Sequence, residues 1–172
     1  GQGVIFSVSP QGAATDAGIA RFGPPSGRFS VGRAQNYCND PADMAAIEWL
    51  RANVAPDAVV LEASGGSYGA EGRISMATGN PTLLGWDGHE RQWRGEAGYD
   101  KLAAGRPEAL EQIYRTARTD ELPALLERWG VDYVLVGETE RNKYKISDAA
   151  LARLDQALKL VYDRDGVRIY AR

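Results

Sequence analysis

Asp120-Glu121-Leu122-Pro123-Ala124-Leu125-Leu126-Glu127-Arg128-Trp129-Gly130-Val131-Asp132-Tyr133-Val134-Leu135-Val136-Gly137 changes its period halfway along. Leu122, Leu125, Leu126 and Trp129 fall on one face of a helix, and Gly130 is a helix stop. The β-branched and aromatic run Val131–Val136 that follows is a strand, too continuously apolar for a sheet with one wet face. A helix that feeds a strand covered on both sides is the unit of an α/β domain.

The flanking sequence repeats this alternation. Asn39 or Asp40 caps a helix with Pro41 in its first turn, and Met44, Ile47, Leu50 and Val54 mark its buried face. Pro56-Asp57 turns the chain into a strand over Ala58–Glu62. A glycine-rich loop, Ala63–Gly69, comes next, and Thr82–Gly85 is a second short strand. Pro107–Arg115 is a helix with Leu110, Ile113 and Tyr114 as its apolar set. Ser147 caps another that uses Leu151, Leu154 and Leu158. Leu160–Tyr162 and Val167–Tyr170, joined through Asp163-Arg164-Asp165-Gly166, form a closing hairpin. The expected fold is α/β: a mainly parallel, Rossmann-like sheet flanked by helices, with the C-terminal antiparallel hairpin at its edge. Residues 1–36, rich in Gly, Ser, Ala and Pro, are an irregular lead-in with one short strand at Val4–Val8. Residues 37–172 are the single domain.

At 172 residues the chain is large enough to bury a core without staples, and its 44% hydrophobic content is that of a globular protein. A net charge of −3 with both signs interspersed shows no basic face, so no nucleic-acid partner is expected. Cys38 stands alone, which excludes an internal disulfide and a cysteine-rich metal site. No apolar run is long enough to span a membrane. The opening Gly1-Gln2-Gly3-Val4-Ile5-Phe6 lacks a methionine start and a basic signal-peptide region, so it reads as an excised or processed piece.

Chemistry concentrates in Thr78–Gly95, which contains the sole histidine, His89, together with Trp86 and Trp93. A short helix from Asp87 would place His89 and Trp93, and Glu90 and Arg94, at i, i+4. His89 could then serve as a general base with Glu62, Glu90 or Glu140 beside it; the plainer alternative has His89 bonded to backbone and a Glu90–Arg94 pair fixing a loop. The catalytic candidates are therefore His89, Glu90 and Glu62. H-E-R-Q-W lacks the second histidine of a zinc helix, and carboxylates at Glu62, Asp87, Glu90 and Glu138 are a weak set for a divalent ion, so neither metal nor cofactor is expected. Gly65–Gly69 has neither the dinucleotide nor the P-loop order, and Ser64 and Ser67 stand in no nucleophile elbow. Trp86, Trp93 and Tyr68, with Gln92, Arg94 and Asn80 nearby, suit a sugar ring, a membrane surface or the lead-in segment equally. Arg73 and Arg141 are the cations placed to meet an anionic headgroup, and the segment Glu140–Lys145 reads as a solvated turn. If the strands are parallel neighbours, the polar ends at Glu62, Trp86 and Gly137–Arg141 converge on one sheet edge, where ligand crevices form.

These residues carry a resemblance. Val60-Leu61-Glu62-Ala63, Ser67-Tyr68, Arg73-Ile74-Ser75, Thr78–Thr82, and Gly85-Trp86 with His89-Glu90 and Gln92-Trp93-Arg94-Gly95 resemble the C-terminal soluble region of the YYY-type multi-pass membrane proteins of bacteria and archaea. Val131–Gly137, Glu140-Arg141, Tyr144 and the helix Ala46–Leu50 extend the likeness from about Asp40 to Arg172. The resemblance implies the extracytoplasmic end of a polytopic protein similar to membrane glycosyltransferases of the GT-C type, which use lipid-linked sugar donors. Such enzymes keep their catalytic acid in a loop between membrane helices and use a soluble domain to cover or recognise the acceptor. It implies a domain without turnover of its own, whose partners are the membrane-embedded part of the same chain and a glycan or lipid-linked sugar. The ligand-facing set would be Tyr68, Arg73, Trp86, His89, Glu90, Gln92, Trp93, Arg94, Glu140 and Arg141. The W-W-D-Y-G signature of oligosaccharyltransferases is absent, so a peptide acceptor is not expected. A stand-alone hydrolase or transferase built on His89, or a purely structural or carbohydrate-binding module with Trp93 as a packing anchor, are the competing expectations.

Overall fold

The computed structural model describes residues 40–67 and 69–172. The lead-in 1–36, its expected strand at Val4–Val8, Cys38, Asn39 and Tyr68 lie outside the described residues.

The chain enters through helix α1 (Pro41–Asn53), where Asp40 accepts a hydrogen bond from the Ala42 N–H at 2.9 Å and Pro41 occupies the first turn. Strand β1 (Val60–Leu61) follows, then the short helix α2 (Arg73–Thr78), which the sequence pattern did not announce. Helix α3 (Asp87–Ala103) is broken at Gly95, whose φ of 70° and ψ of 167° are open to glycine alone. Helix α4 (Arg106–Glu111) runs into a π-helical turn (Gln112–Thr116), so the helix expected over Pro107–Arg115 is present with a widened last turn. Then come α5 (Leu122–Trp129), β2 (Tyr133–Val136), α6 (Glu138–Tyr144), α7 (Asp148–Ala157), β3 (Lys159–Arg164) and β4 (Val167–Ala171). Helix α6 replaces the solvated turn expected over Glu140–Lys145.

The four strands lie in the order β1-β2-β4-β3. β1 and β2 are parallel, with Val60 opposite Tyr133 and Leu61 opposite Val134. β4 is antiparallel to both β2 and β3. The sheet is therefore mixed, not mainly parallel: the closing hairpin inserts β4 directly against β2 instead of adding to a longer parallel array. Asp165 and Gly166, both at positive φ, form its two-residue turn between the paired Arg164 and Val167. Two consecutive positive-φ residues give the twist a two-residue hairpin needs, which is why Asp-Gly stands there. Thr82–Gly85 makes no ladder of its own. Pro81 accepts from the Val60 N–H at 2.9 Å and Trp86 forms a parallel bridge with Gly65, so residues 81–86 still run beside β1.

Both faces of the sheet are covered. On one, Val60, Leu135, Val167 and Ile169 pack with Ala46, Ile47 and Leu50 of α1 and Ile74 of α2. On the other, Leu61, Val134, Val136 and Tyr170 pack with Leu110, Ile113, Tyr114, Leu122, Leu126 and Leu154. Side chains alternate between faces along each strand, so a strand buried on both sides must be apolar at every step. That is the physical origin of the Val134-Leu135-Val136 run.

Candidate functional site

The parallel start of the sheet brings the polar strand ends together. The Ala63 N–H after β1 donates to Glu140 Oε1 of α6 at 2.9 Å, and the Asp87 N–H donates to the Gly65 carbonyl at 3.1 Å. Glu62, Trp86 and Gly137 thus stand along one edge, as the convergence argument expected. What they build there has two parts, one buried and one exposed.

The buried part centres on Arg73, which is fully buried at the start of α2. Its Nε and Nη2 donate to the two oxygens of Asp43 at 2.6 and 2.9 Å, and its Nη1 and Nη2 donate to Glu140 at 2.9 and 3.1 Å. The planar guanidinium is the one side chain that can hold two carboxylates in this double-fork manner. Gly137 closes the arrangement: its N–H donates to Glu140 Oε2 at 2.9 Å, capping α6. A Cβ on Gly137 would meet Arg73 Nη2 at 2.9 Å and Asp43 Oδ1 at 3.2 Å, so the absence of a side chain is a matter of space rather than of φ. Glu62, also fully buried, accepts from the Ile74 and Ser75 N–H groups at 2.8 and 2.6 Å and so satisfies the first turn of α2. Tyr114 stacks on Tyr144 at 4.6 Å and donates to the Leu61 and Leu135 carbonyls, tying β1 to β2.

Charge in this cluster is unevenly shared. Burial pushes the Glu62 carboxyl up to about 7, against the opposing pull of the Arg73 charge and its two N–H donors. Burial acts the same way on Glu140, but there the Arg73 charge and bonds, with the Ala63 and Gly137 N–H groups, prevail and hold it below the usual carboxylate value. The two glutamates near the Arg73 cation therefore divide the roles: Glu140 is a counter-ion, alongside Asp43, and Glu62 is the group whose carboxyl is pushed toward its protonated form.

The exposed part lies on the first half of α3. Trp86, 7% exposed, donates its Nε1–H to the Glu71 carbonyl. His89 meets it edge-on at 5.1 Å, and Trp93 stacks on His89 at 5.7 Å with the rings 19° apart. Trp93 itself is 71% exposed. Glu90 is buried and accepts from Arg94 Nε at 2.6 Å, the expected i, i+4 pair. Gln92 and Arg94 are exposed.

Of the sequence candidates, His89, Glu90, Gln92, Trp93 and Arg94 are gathered on α3, and Trp86 stands at its N-cap. Arg73, Glu62 and Glu140 lie instead in the interior, where Arg73 meets two carboxylates of its own chain rather than an anionic headgroup. Arg141 donates to the Gly166 carbonyl and fastens the β3–β4 turn. Asn80 is likewise interior, its amide donating to the Ala55 and Ala58 carbonyls at 2.8 and 3.1 Å. Trp93, a packing anchor under one expectation, is 71% exposed. Among the described residues no group of three His, Cys, Asp or Glu side chains could hold a metal ion. A separate open cavity of about 400 Å3 lies between the π-helical turn and α5, bordered by Gln112, Thr116, Leu125 and Arg128; none of the sequence candidates borders it.

Sequence reasoning missed Asp43, Tyr114 and Tyr144 as members of the buried cluster. Asp43 did leave a signal, since it shares its helical face with Ala46, Ile47 and Leu50, and an acid on an apolar stripe calls for a buried cation. No protein-family model matches the chain, and no curated protein matches it.

Proposed function

We propose that the chain is a recognition domain without turnover of its own, the extracytoplasmic end of a polytopic protein of the YYY type, akin to GT-C glycosyltransferases. Its partners in this reading are the membrane-embedded part of the same parent and a glycan or lipid-linked sugar. The carrying observation is the aromatic file Trp86–His89–Trp93, which ends in a Trp93 that is 71% exposed. Tryptophan is enriched at interfaces, where one end of the ring is packed and the other is open to solvent.

The carboxylates that an acid/base reading would give to His89 are engaged elsewhere: Glu90 with Arg94, Glu62 with the first turn of α2, and Glu140 with Arg73. This favours recognition over stand-alone hydrolysis. The pairing of β1 with β2, together with the Gly65–Trp86 bridge, supports a shortened Rossmann-like arrangement in which residues 81–86 stand in for a third parallel strand.

The purified chain, offered glycoside and phosphate-ester substrates, should release no product. Steady turnover that disappears in His89→Ala would overturn the reading. The reading frame upstream in the gene tests the other half: it should encode a series of hydrophobic spans.

A further inference from the structure

The open cavity of about 400 Å3 takes one wall from a single stripe of α5: Glu121, Ala124, Leu125 and Arg128. These positions follow i, i+3, i+4, i+7, so they share one helical face, with Glu121 at the N-cap and Arg128 in the last turn. That face is separate from the one that buries Leu122 and Leu126 in the core. Glu121, Ala124 and Arg128 are exposed, and Leu125 is half-buried. Gln112 and Thr116 of the π-helical turn stand on the other side.

The charges of this stripe are not neutralised within the chain. The nearby arginines have carboxylate partners, Arg115 in Glu111 and Arg118 in Asp120. Arg128 lies over the Trp129 ring and makes no salt bridge among the described residues. Glu121 accepts the Arg118 N–H through Oε2 at 3.1 Å, which leaves its other oxygen open to a cation.

The order of the four residues selects what covers them. Acid, small apolar, larger apolar, base is its own complement when reversed, because the midpoint between Glu121 and Arg128 is also the midpoint between Ala124 and Leu125. Two copies of α5 laid antiparallel about a two-fold axis through that point set Glu121 against the partner's Arg128 at both ends. Between these ends each Leu125 meets the partner's Ala124. The two ion pairs then stand about 10 Å apart along the helix. Large against small lets the helices approach to the roughly 8–10 Å of packed pairs. A parallel arrangement would set like charges together. A small anion would find Arg128 but meet Glu121 in the same cavity.

We propose that this stripe is a self-complementary contact through which two copies of the chain pair antiparallel, α5 against α5. Such an interface is isologous, the same patch serving both partners. The patch is small, so the pairing belongs with the weak, transient contacts that bury less than about 1,200 Å2 in all. It is independent of the ligand reading above.

Sedimentation equilibrium of the whole chain, taken up to about 1 mM, tests this. The native protein should show a monomer–dimer equilibrium that weakens as salt rises. Glu121→Arg and Arg128→Glu should each weaken it about tenfold or more, since each sets like charges together at both ends of the contact. An equimolar mixture of the two variants should dimerise again, because a mixed pair restores opposite charges at both ends. Circular dichroism verifies that each variant keeps its fold, and recovery in the mixture cannot come from chains that have lost it. A native chain that stays monomeric throughout, dimers that survive both substitutions, or a mixture no better than its components overturns the proposal. A monomer that instead binds acetate saturably, and loses this in Arg128→Glu, also overturns it and gives the cavity to a small carboxylate.

Discussion

Arg73 and Glu140 meet fork to fork in the interior, Nη1 to Oε1 at 2.9 Å and Nη2 to Oε2 at 3.1 Å, although they are 67 residues apart in the chain. Neither side chain has any solvent exposure. Asp43 closes the other side of the same guanidinium, so α1, α2 and α6 are joined at one point. Removing one member leaves the others charged in a medium that solvates them poorly. Arg73→Met should therefore cost about 3–5 kcal/mol, and Glu140→Gln a comparable amount, measured by urea denaturation. A loss below about 1 kcal/mol, the range of exposed pairs, would mean that water reaches the cluster.

Glu62 should give the protein an unusual pH response. Its folded value of about 7 lies above its ordinary 4.5. Between these limits the unfolded chain releases a proton that the folded chain keeps. Stability from this site is thus intact below about pH 4.5, falls by about 1.4 kcal/mol per pH unit, and levels off above about 7 at a loss of about 3 kcal/mol. Glu140 has the opposite sign: its contribution is present above its ordinary value and is lost as pH falls through its lowered folded value. Urea midpoints at pH 5 and pH 8 should differ in the native protein, and the difference should shrink in Glu62→Gln. Equal pH dependence in the two proteins would show that Glu62 is ionised throughout.

Gly137→Ala tests packing without touching a charged residue. The new methyl would lie within 3.2 Å of Arg73, Glu140 and Asp43. Those groups are held by each other and cannot withdraw cheaply, so a loss of about 1–3 kcal/mol is expected from overpacking. An unchanged thermal midpoint would indicate a looser cluster.

Trp86 and Trp93 should respond in opposite ways to the same substitution. Trp86→Ala empties a buried position beside Gly72 and should cost about 3–5 kcal/mol. Trp93→Ala removes an exposed ring and should change stability by no more than about 0.5 kcal/mol. Denaturation of both variants decides this, and a large loss in Trp93→Ala would return Trp93 to a packing role.

Much of the architecture was legible because it is written locally. Asp40-Pro41 opens α1, Gly130 ends α5 at a φ of 65°, and Asp165-Gly166 turns the hairpin, each through the conformational preference of the residue itself. The apolar run of β2 announced a strand covered on both faces. Local pattern also identified the Glu90–Arg94 pair, since i, i+4 contact is a property of one helix. Sheet order was another matter. Nothing in Val167–Ala171 says that it pairs with β2, and this pairing is what makes the sheet mixed.

By itself, then, the sequence determined the α/β alternation, the caps, the turn and which strands end in polar groups, because periodicity and turn chemistry act over a few residues. Only the tertiary structure decided which of those polar groups face water. Arg73 and Glu140 read as surface charges until chain segments far apart in sequence close around them. Trp86 and Trp93 stand seven apart, a spacing that puts two residues on one helical face; yet Trp86 precedes the helix and is held against Glu71 and Gly72, while Trp93 lies two turns out in solvent. Burial depends on what arrives from elsewhere in the chain, and such long-range contacts leave no period in the sequence to read.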